Sequence, residues 1–434
     1  MLEEFFYCKN FFKVFILVIQ YILLLLKIAT FKIKEVFMYK KTLAFMSLFL
    51  FFSNYFAQEA LELSGFYQAQ YFYISKDKAY PSEPTRYKAN LQQLNLLLAR
   101  SFSDNVLAFV NLELINNFNF QRTWGNFSIQ EAFIRMNFYD LLNLKAGIFY
   151  PRFAAFNEIK NRFPLIPYIY RPVIYESSMQ QIFDFADFVP ETGALQIYGS
   201  YFVDKFSFEY ALFAGNAEKT FFNSAAIPLF TKLQGVDTSD FKVFGGRIGA
   251  KAKLGNLGIY EGGFSYAVDK DKETNKLLGF APAPVRRYFG VLSRNRYAFD
   301  FSANLFNFYL AAEHITVKYK PDQKQKNTLQ QAKQLIESSG KKGSVGFDKR
   351  FYYVTLGYTI FDKIMLYGSY SYMEDKLIYL LTEGFELGSG GLSYMYNDNV
   401  TFKFQYSYIY NKSKTFNSEK DILYPFLVGI SVYF

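Results

Sequence analysis

From Ala60 onward, apolar and polar positions alternate in stretches of about ten residues. A period of two places successive side chains on opposite faces of a strand. About ten residues is the length of a tilted strand that crosses a bilayer. Two kinds of connection separate these stretches in strict rotation. The short ones are rich in Asp, Asn and Gly: Ser103 to Asn105, Asp140 to Asn143, Asp204-Lys205, Gly255-Asn256, Asn304 to Asn307, Asp362-Lys363 and Asn397 to Asn399. The long ones are polar and centre on 75–87, 118–126, 152–190, 217–240, 269–286, 321–348, 375–384 and 412–423. Seven short turns and eight long loops join sixteen strands. The pattern predicts an all-β chain: a 16-stranded antiparallel transmembrane β-barrel with long extracellular loops and short periplasmic turns. Hydrocarbon supplies no hydrogen-bond partners, so the sheet must close and the strand near 60–74 must pair with the last.

The alternation can be phased. From Pro425 to Phe434, the positions Phe426, Val428, Ile430, Val432 and Phe434 share the lipid face. In Ser128 to Tyr139 that face carries Ala132, Ile134, Met136 and Phe138, leaving Glu131, Arg135 and Asn137 inward. In Val400 to Tyr410, Phe402, Phe404, Tyr406 and Tyr408 face out, while Lys403, Gln405 and Ser407 face in. The inner set is polar and predicts a wet lumen. Tyr71 and Tyr73, Tyr352 and Tyr353, Tyr370 and Tyr372, and Tyr408 and Tyr410 fit girdles where the ring meets lipid and the hydroxyl meets water. The β-propensity of Tyr would place them in strands as well. In phase with its strand, Phe434 is expected to be read by the barrel-assembly machinery.

Composition narrows the class further. Phe (53) and Tyr (37) are dense, yet the mean hydropathy is −0.01, which excludes a bundle of membrane helices. The single Cys8 precedes the expected mature chain, so disulfides, thiol nucleophiles and thiolate metal sites are not expected. His314 stands alone, so a multi-His metal site is not available, and no Ser-His-Asp set can be ordered around it from the sequence. No cofactor and no enzymatic activity are expected.

Two apolar runs precede the strands. Residues 11–30 are long enough for a membrane helix. Residues 38–57 have a basic start at Lys40-Lys41, an apolar centre and Ala57 at the end, the layout of a secretory signal peptide. Met38 is read as the true start, 1–37 as an over-extended beginning, 38–57 as the signal and 58–434 as the barrel; an N-terminal inner-membrane anchor is the rival reading. Without residues 1–57 the basic and acidic counts fall from 48 and 38 to 41 and 35, a net charge near +6. That mild, dispersed excess gives no argument for nucleic-acid binding.

The third long loop, Arg152 to Pro190, is the longest, and its centre FPLIPYIYRPVIYE (Phe163 to Glu176) is strongly apolar. Folding it into the barrel would bury that centre, and Pro164, Pro167 and Pro172 stiffen it. A channel's selectivity is set by pore radius and the field at its narrowest point. The expected constriction residues are Arg152, Lys160, Arg162 and Arg171 from the loop, with Arg135, Lys145, Arg247, Lys251, Arg294 and Arg296 from the wall. Glu113, Glu131, Glu209 and Asp300 oppose them, so the balance mildly favours anions. The same charges could instead solvate the lumen and pair across strands. In the sixth long loop, Leu329, Ala332, Leu335 and Ile336 share one helical face, predicting a short helix over 327–339. Asn126-Phe127-Ser128 and Asn411-Lys412-Ser413 match the glycosylation pattern and are read as chance.

Residues 129–158, IQEAFIRMNFYDLLNLKAGIFYPRFAAFNE, resemble the bacterial phosphate-selective porin O/P family: a strand, a tight turn, a strand ending in Gly147-Ile148-Phe149, then Arg152-Phe153. The hairpin pattern agrees over most of 60–434. The resemblance implies a homotrimeric outer-membrane channel of Gram-negative bacteria whose third loop narrows the pore, passing small hydrophilic solutes with anion, in some members phosphate, preference. No ladder of arginines is visible here. Expected partners are small anions or other small solutes, outer-membrane lipid and sister copies. The alternative is a barrel that serves as an adhesin or surface receptor, with loops that matter more than its lumen.

Overall fold

A computed structural model describes residues 61–434 apart from 77–86, 116–125, 163–164, 177–187, 217–241, 272–291, 328–329, 331–333, 335–345, 377–383 and 412–420. The expected signal segment and the over-extended start lie outside the described residues. The barrel unit is Leu61–Phe434.

Sixteen strands follow one another: β1 (Glu62–Lys76), β2 (Tyr87–Ser103), β3 (Val106–Ile115), β4 (Asn126–Tyr139), β5 (Leu142–Phe149), β6 (Gly193–Val203), β7 (Phe206–Asn216) and β8 (Lys242–Lys253) form the first half. β9 (Ile259–Asp271), β10 (Leu292–Leu305), β11 (Phe308–Lys320), β12 (Asp348–Ile360), β13 (Ile364–Asp375), β14 (Phe385–Met395), β15 (Val400–Asn411) and β16 (Asp421–Tyr433) form the second. Each pairs antiparallel with its neighbours in sequence, and β1 pairs with β16 from Phe66↔Tyr433 to Lys76↔Leu423, closing the barrel. Every expected short turn joins the strands it was assigned to. Several long loops begin or end a few residues away from the expected boundaries, because strands such as the 17-residue β2 run on past the length needed to cross the membrane.

The predicted phases hold. Leu427, Gly429 and Ser431 are buried inward on β16, while Phe426 is exposed outward. Lys403, Gln405 and Ser407 are buried on β15, while Phe402, Phe404 and Tyr406 face out. Phe434 accepts a hydrogen bond from the Gly65 amide (2.8 Å) and donates one to the Gly65 carbonyl (2.9 Å), extending the seam past β16. Its ring fills the space where a Cβ on Gly65 would stand.

Tyr353 differs from expectation. It is 3% exposed and points into the lumen, because it is the odd neighbour of the outward Tyr352. Tyr352, by contrast, joins Tyr370 and Tyr372 in an outer aromatic cluster with ring centroids 6.2 and 5.3 Å away. The loop helix begins earlier than expected: residues 323–327 are helical, with Gln330 and Gln334. The Gln325 amide donates to Asp322 Oδ1 (2.7 Å) and the Asp322 amide to Gln325 Oε1 (2.8 Å), a reciprocal cap. The apolar positions of its predicted face lie outside the described residues.

Lipid-facing positions tolerate no charge at mid-membrane. Replacing Phe404, outward and near the middle of β15, with Lys should destabilise the barrel by about 2–4 kcal/mol in urea unfolding from lipid vesicles. An unchanged midpoint would mean that Phe404 does not face lipid.

Candidate functional site

The third long loop enters the barrel directly after β5. A register irregularity between Ala146 and Phe149 bends that strand. Gly147 sits there at φ 135, and a Cβ on it would stand 2.2 Å from the Ala132 carbonyl oxygen, so only glycine fits. Ala154 then takes a left-handed φ of 55, which costs about 1–2 kcal/mol in a residue other than glycine. The strain is held by its amide, which donates to Ser265 Oγ (3.0 Å) on β9.

From there the loop lies along one arc of the wall. The Phe156 amide donates to Glu313 on β11 (2.6 Å), and the Val173 amide to Ser371 on β13 (3.1 Å). The Ile169 and Tyr170 amides both donate to Gln405 Oε1 on β15 (2.7 and 3.0 Å). Lys403 Nζ donates to the Ile166 carbonyl (2.8 Å) and to Gln68 Oε1 on β1 (3.1 Å). Gln92 and Gln93 on β2 donate to the carbonyls of Ile169 (3.3 Å) and Asn161 (3.2 Å). These bonds matter because a loop in a lumen carries backbone groups that strand pairing does not satisfy.

Apolar packing completes the attachment. Ile169, Val173 and Ile174 are fully buried, each burial stabilising by about 1.5–3 kcal/mol. Gly429 on β16 leaves room for Ile169, whose side chain would crowd a Cβ there at 3.2 Å. Phe156 packs against Tyr175 (4.8 Å), Tyr353 (5.8 Å) and Tyr168 (6.1 Å). Tyr168 Oη donates to Thr355 Oγ1 (2.7 Å) and Tyr175 Oη to Glu313 Oε2 (2.9 Å). Burial raises the pKa of both loop phenols well above the ordinary value, so both remain donors.

The arc from β9 through β16 to β2 therefore carries the loop. Towards the short turns, the arc from β4 to β9 and the start of the loop bring together a cluster of charges, several of them partly exposed. There Arg152 is ion-paired with Glu158 (3.1 Å) and approaches Glu209 (3.8 Å), with its guanidinium 4.9 Å from the Tyr198 ring. Lys145 pairs with Glu131 (3.6 Å) and sits over the rings of Phe133 and Phe149. Arg152, Arg162 and Glu158 lie within electrostatic reach of Lys145, as do Arg135 and Arg152 of Tyr198. Lys251 approaches Glu261 (3.8 Å) with both side chains 31% exposed. A recess of about 370 Å3 bordered by Arg135, Asp140, Asn143 and Tyr198 opens beside them at the periplasmic end.

Of the ten expected constriction residues, Arg135, Lys145, Arg152, Arg162 and Lys251 share this partly exposed region. The other five are placed differently. Lys160 and Arg171 are buried within the loop; Arg171 donates to the Lys160 carbonyl (2.6 Å) and Asn161 Oδ1 (2.7 Å) and pairs with Glu176. Arg247 is held by Asp300 through two bonds (3.1 and 2.5 Å). Arg294 and Arg296 point inward as phased but are 1% and 0% exposed, both bonded to Asp269 (2.7 and 3.0 Å). A buried guanidinium requires a partner charge, so these residues serve the wall rather than an open lumen.

Sequence reasoning gave no role to Gln405, Ser371, Ser265, Thr355 or Glu313. Their only signal is a short polar side chain at an inward, mid-strand position. Among the described residues, no group of three or more His, Cys, Asp or Glu could hold a metal ion.

No protein-family model and no curated protein matches the chain. Solved structures do. Salmonella typhi OmpF in complex with daunomycin is 12% identical, with a TM-score of 0.52 over 87% of this chain and 100% of that one. An anion-selective porin from Comamonas acidovorans gives the same values. Pseudomonas putida OprB is 10% identical, with a TM-score of 0.52 over 86% and 94%. The chain has the fold of these outer-membrane porins. It is a closed sixteen-stranded antiparallel β-barrel, with its long loops at one end and its short turns at the other.

Gln405 is the most heavily used anchor. Replacing it with Ala leaves the buried amides of Ile169 and Tyr170 without their acceptor, each costing about 1–3 kcal/mol. The variant barrel should assemble, and limited proteolysis should now cut within 152–190. A digestion pattern identical to wild type would show that the loop does not depend on this side chain.

Proposed function

We propose that the protein is a porin giving passive diffusion of small hydrophilic solutes, with slight anion preference, through a lumen narrowed by the third long loop. The observation that carries this reading is the division of the inner wall. The loop is bonded to the arc from β9 to β2, and partly exposed charges from β4, β5, β7, β8 and β9 gather with the loop's own Arg152, Glu158 and Arg162 on the other side. Solute passes beside this cluster. Arg135, Lys145, Arg152, Arg162 and Lys251 act on its charge, opposed by Glu131, Asp140, Glu158, Glu209 and Glu261. Five cations against five carboxylates produce a weak field, which keeps the preference slight and makes phosphate one permeant anion among several. A homotrimer, as the resemblance to the phosphate-selective porin O/P family implies, and removal of residues 38–57 as a signal peptide complete the proposal.

Planar-bilayer recording tests it in two parts. The purified protein should give stepwise currents with a reversal potential favouring anions in a salt gradient. The Arg135→Glu/Arg152→Glu variant should move that potential towards cations; an unmoved potential removes these residues from the path. Deleting residues 163–176 should raise unit conductance, and unchanged conductance would remove the loop from the constriction. Absence of any current would favour the reading as a surface receptor.

A further inference from the structure

Register lays a row of carboxamides across the inner wall near the short turns. Asn137 on β4 pairs with Asn143 on β5, and Asn143 pairs with Tyr198 on β6. The Asn137 backbone amide donates to the Asn105 carbonyl (2.8 Å), which adds the turn between β2 and β3 at the other end. Paired residues point to the same face, and neighbouring strands lie about 4.8 Å apart, so the row runs for roughly 14 Å. Arg135 stands two residues before Asn137, opposite Lys145 and about 7 Å nearer the third loop. Asp140 follows in the turn, on the far side of the row. These six residues, Asn105, Arg135, Asn137, Asp140, Asn143 and Tyr198, border the recess of about 370 Å3.

Few of these polar groups are used inside the protein. Among the described residues, the Asn105 and Asn137 carboxamides make no hydrogen bond. Asn143 Nδ2 reaches the carbonyls of Asp140 and Tyr198 only at 3.5 and 3.4 Å, beyond the usual range of such bonds. Lys145 and Arg152 are committed to Glu131 and Glu158. Arg135 forms no ion pair with the described residues, and its Nε is shut off from solvent without a hydrogen-bond partner. A guanidinium presents its donors in a planar fork, so the fork of Arg135 stands ready beside the recess.

Each part of the recess selects a different part of a ligand. The guanidinium fork matches one carboxylate through two parallel bonds. A dianion would call for a second uncommitted cation, and Lys145 and Arg152 already hold carboxylates. A carboxamide carries both donors and an acceptor, so a row of them suits a row of hydroxyls, which also do both. Asp140 repels a second carboxylate and accepts from hydroxyls. That fixes the orientation: acid group at Arg135, hydroxyls along the row and towards Asp140. At about 370 Å3 the recess is near the small end of ligand pockets, which run from about 300 to 1,000 Å3, so it suits a single ring.

We propose that this recess binds a sugar acid, a polyhydroxylated ring bearing one carboxylate, with Arg135 holding the carboxylate and Asn105, Asn137 and Asn143 reading the hydroxyls. This deepens the channel reading and rests on it only for how the solute reaches the recess.

The test is calorimetric titration of glucuronate, glucose and acetate into the purified barrel in detergent. Wild type should bind glucuronate at least tenfold more tightly than either glucose or acetate. Arg135→Gln should lower the glucuronate affinity to that of glucose. Asn137→Ala/Asn143→Ala should lower it to that of acetate. Lys363→Ala, at a different short turn, should bind as wild type does, which separates a local site from general charge. Heat-modifiable migration on gels would show that each variant is folded, so loss of binding would not reflect loss of the barrel. Equal affinity of wild type for glucuronate and acetate overturns the proposal, because the recess would then read charge alone. Equal affinity for glucuronate and glucose overturns it too, because Arg135 would then add nothing. Unchanged glucuronate affinity in both recess variants places the binding elsewhere and also overturns it. Binding is read without current: a conducting barrel with no preference sinks this inference alone, and a barrel with the preference but no current sinks the channel reading alone.

Discussion

Every backbone amide and carbonyl at membrane depth needs a partner inside the protein, since hydrocarbon offers none. In this chain the requirement is met by pairing β1 with β16 across the full ring of sixteen strands. Even strand number, alternation of faces, and the segregation of turns and loops to opposite ends all follow from that closure. So does the third loop's placement. A closed barrel of this size has an interior too wide for wall side chains to fill, and the apolar loop packs into it.

Inside the ring the rules change. The lumen wall is polar, yet the loop that meets it is rich in Ile, Tyr and Pro. The two are reconciled by dividing the work. Wall amides, hydroxyls and one carboxylate satisfy the loop backbone, as Gln405, Ser371, Ser265 and Glu313 do. The loop's side chains pack into gaps such as the one above Gly429. One arc of wall is thereby used as a socket, and anchoring the loop makes the inner wall asymmetric.

Charge placement shows why the inward phase of a residue does not settle its role. Arg135 and Arg296 are both inward arginines on strands. Arg135 borders an open recess, whereas Arg296 is fully buried and bonded to Asp269. Nothing near either residue in sequence distinguishes them, because Asp269 lies on a different strand and is brought alongside by register.

The strand number, the seven turns, the outward faces of β15 and β16 and the inward apolar loop were legible in the sequence. Membrane crossing imposes a local, period-two pattern, and local patterns survive in one dimension. Tyr353 was misplaced among the girdle tyrosines because adjacent aromatics leave the phase of that strand ambiguous until its inward neighbours are known. The sharing of Gln405 by two loop amides and the burial of Arg294 and Arg296 against Asp269 were decided by tertiary structure alone. Each depends on contacts between residues far apart in the chain, set by register and by where a long loop comes to rest, and neither quantity is encoded in the alternation of any single strand.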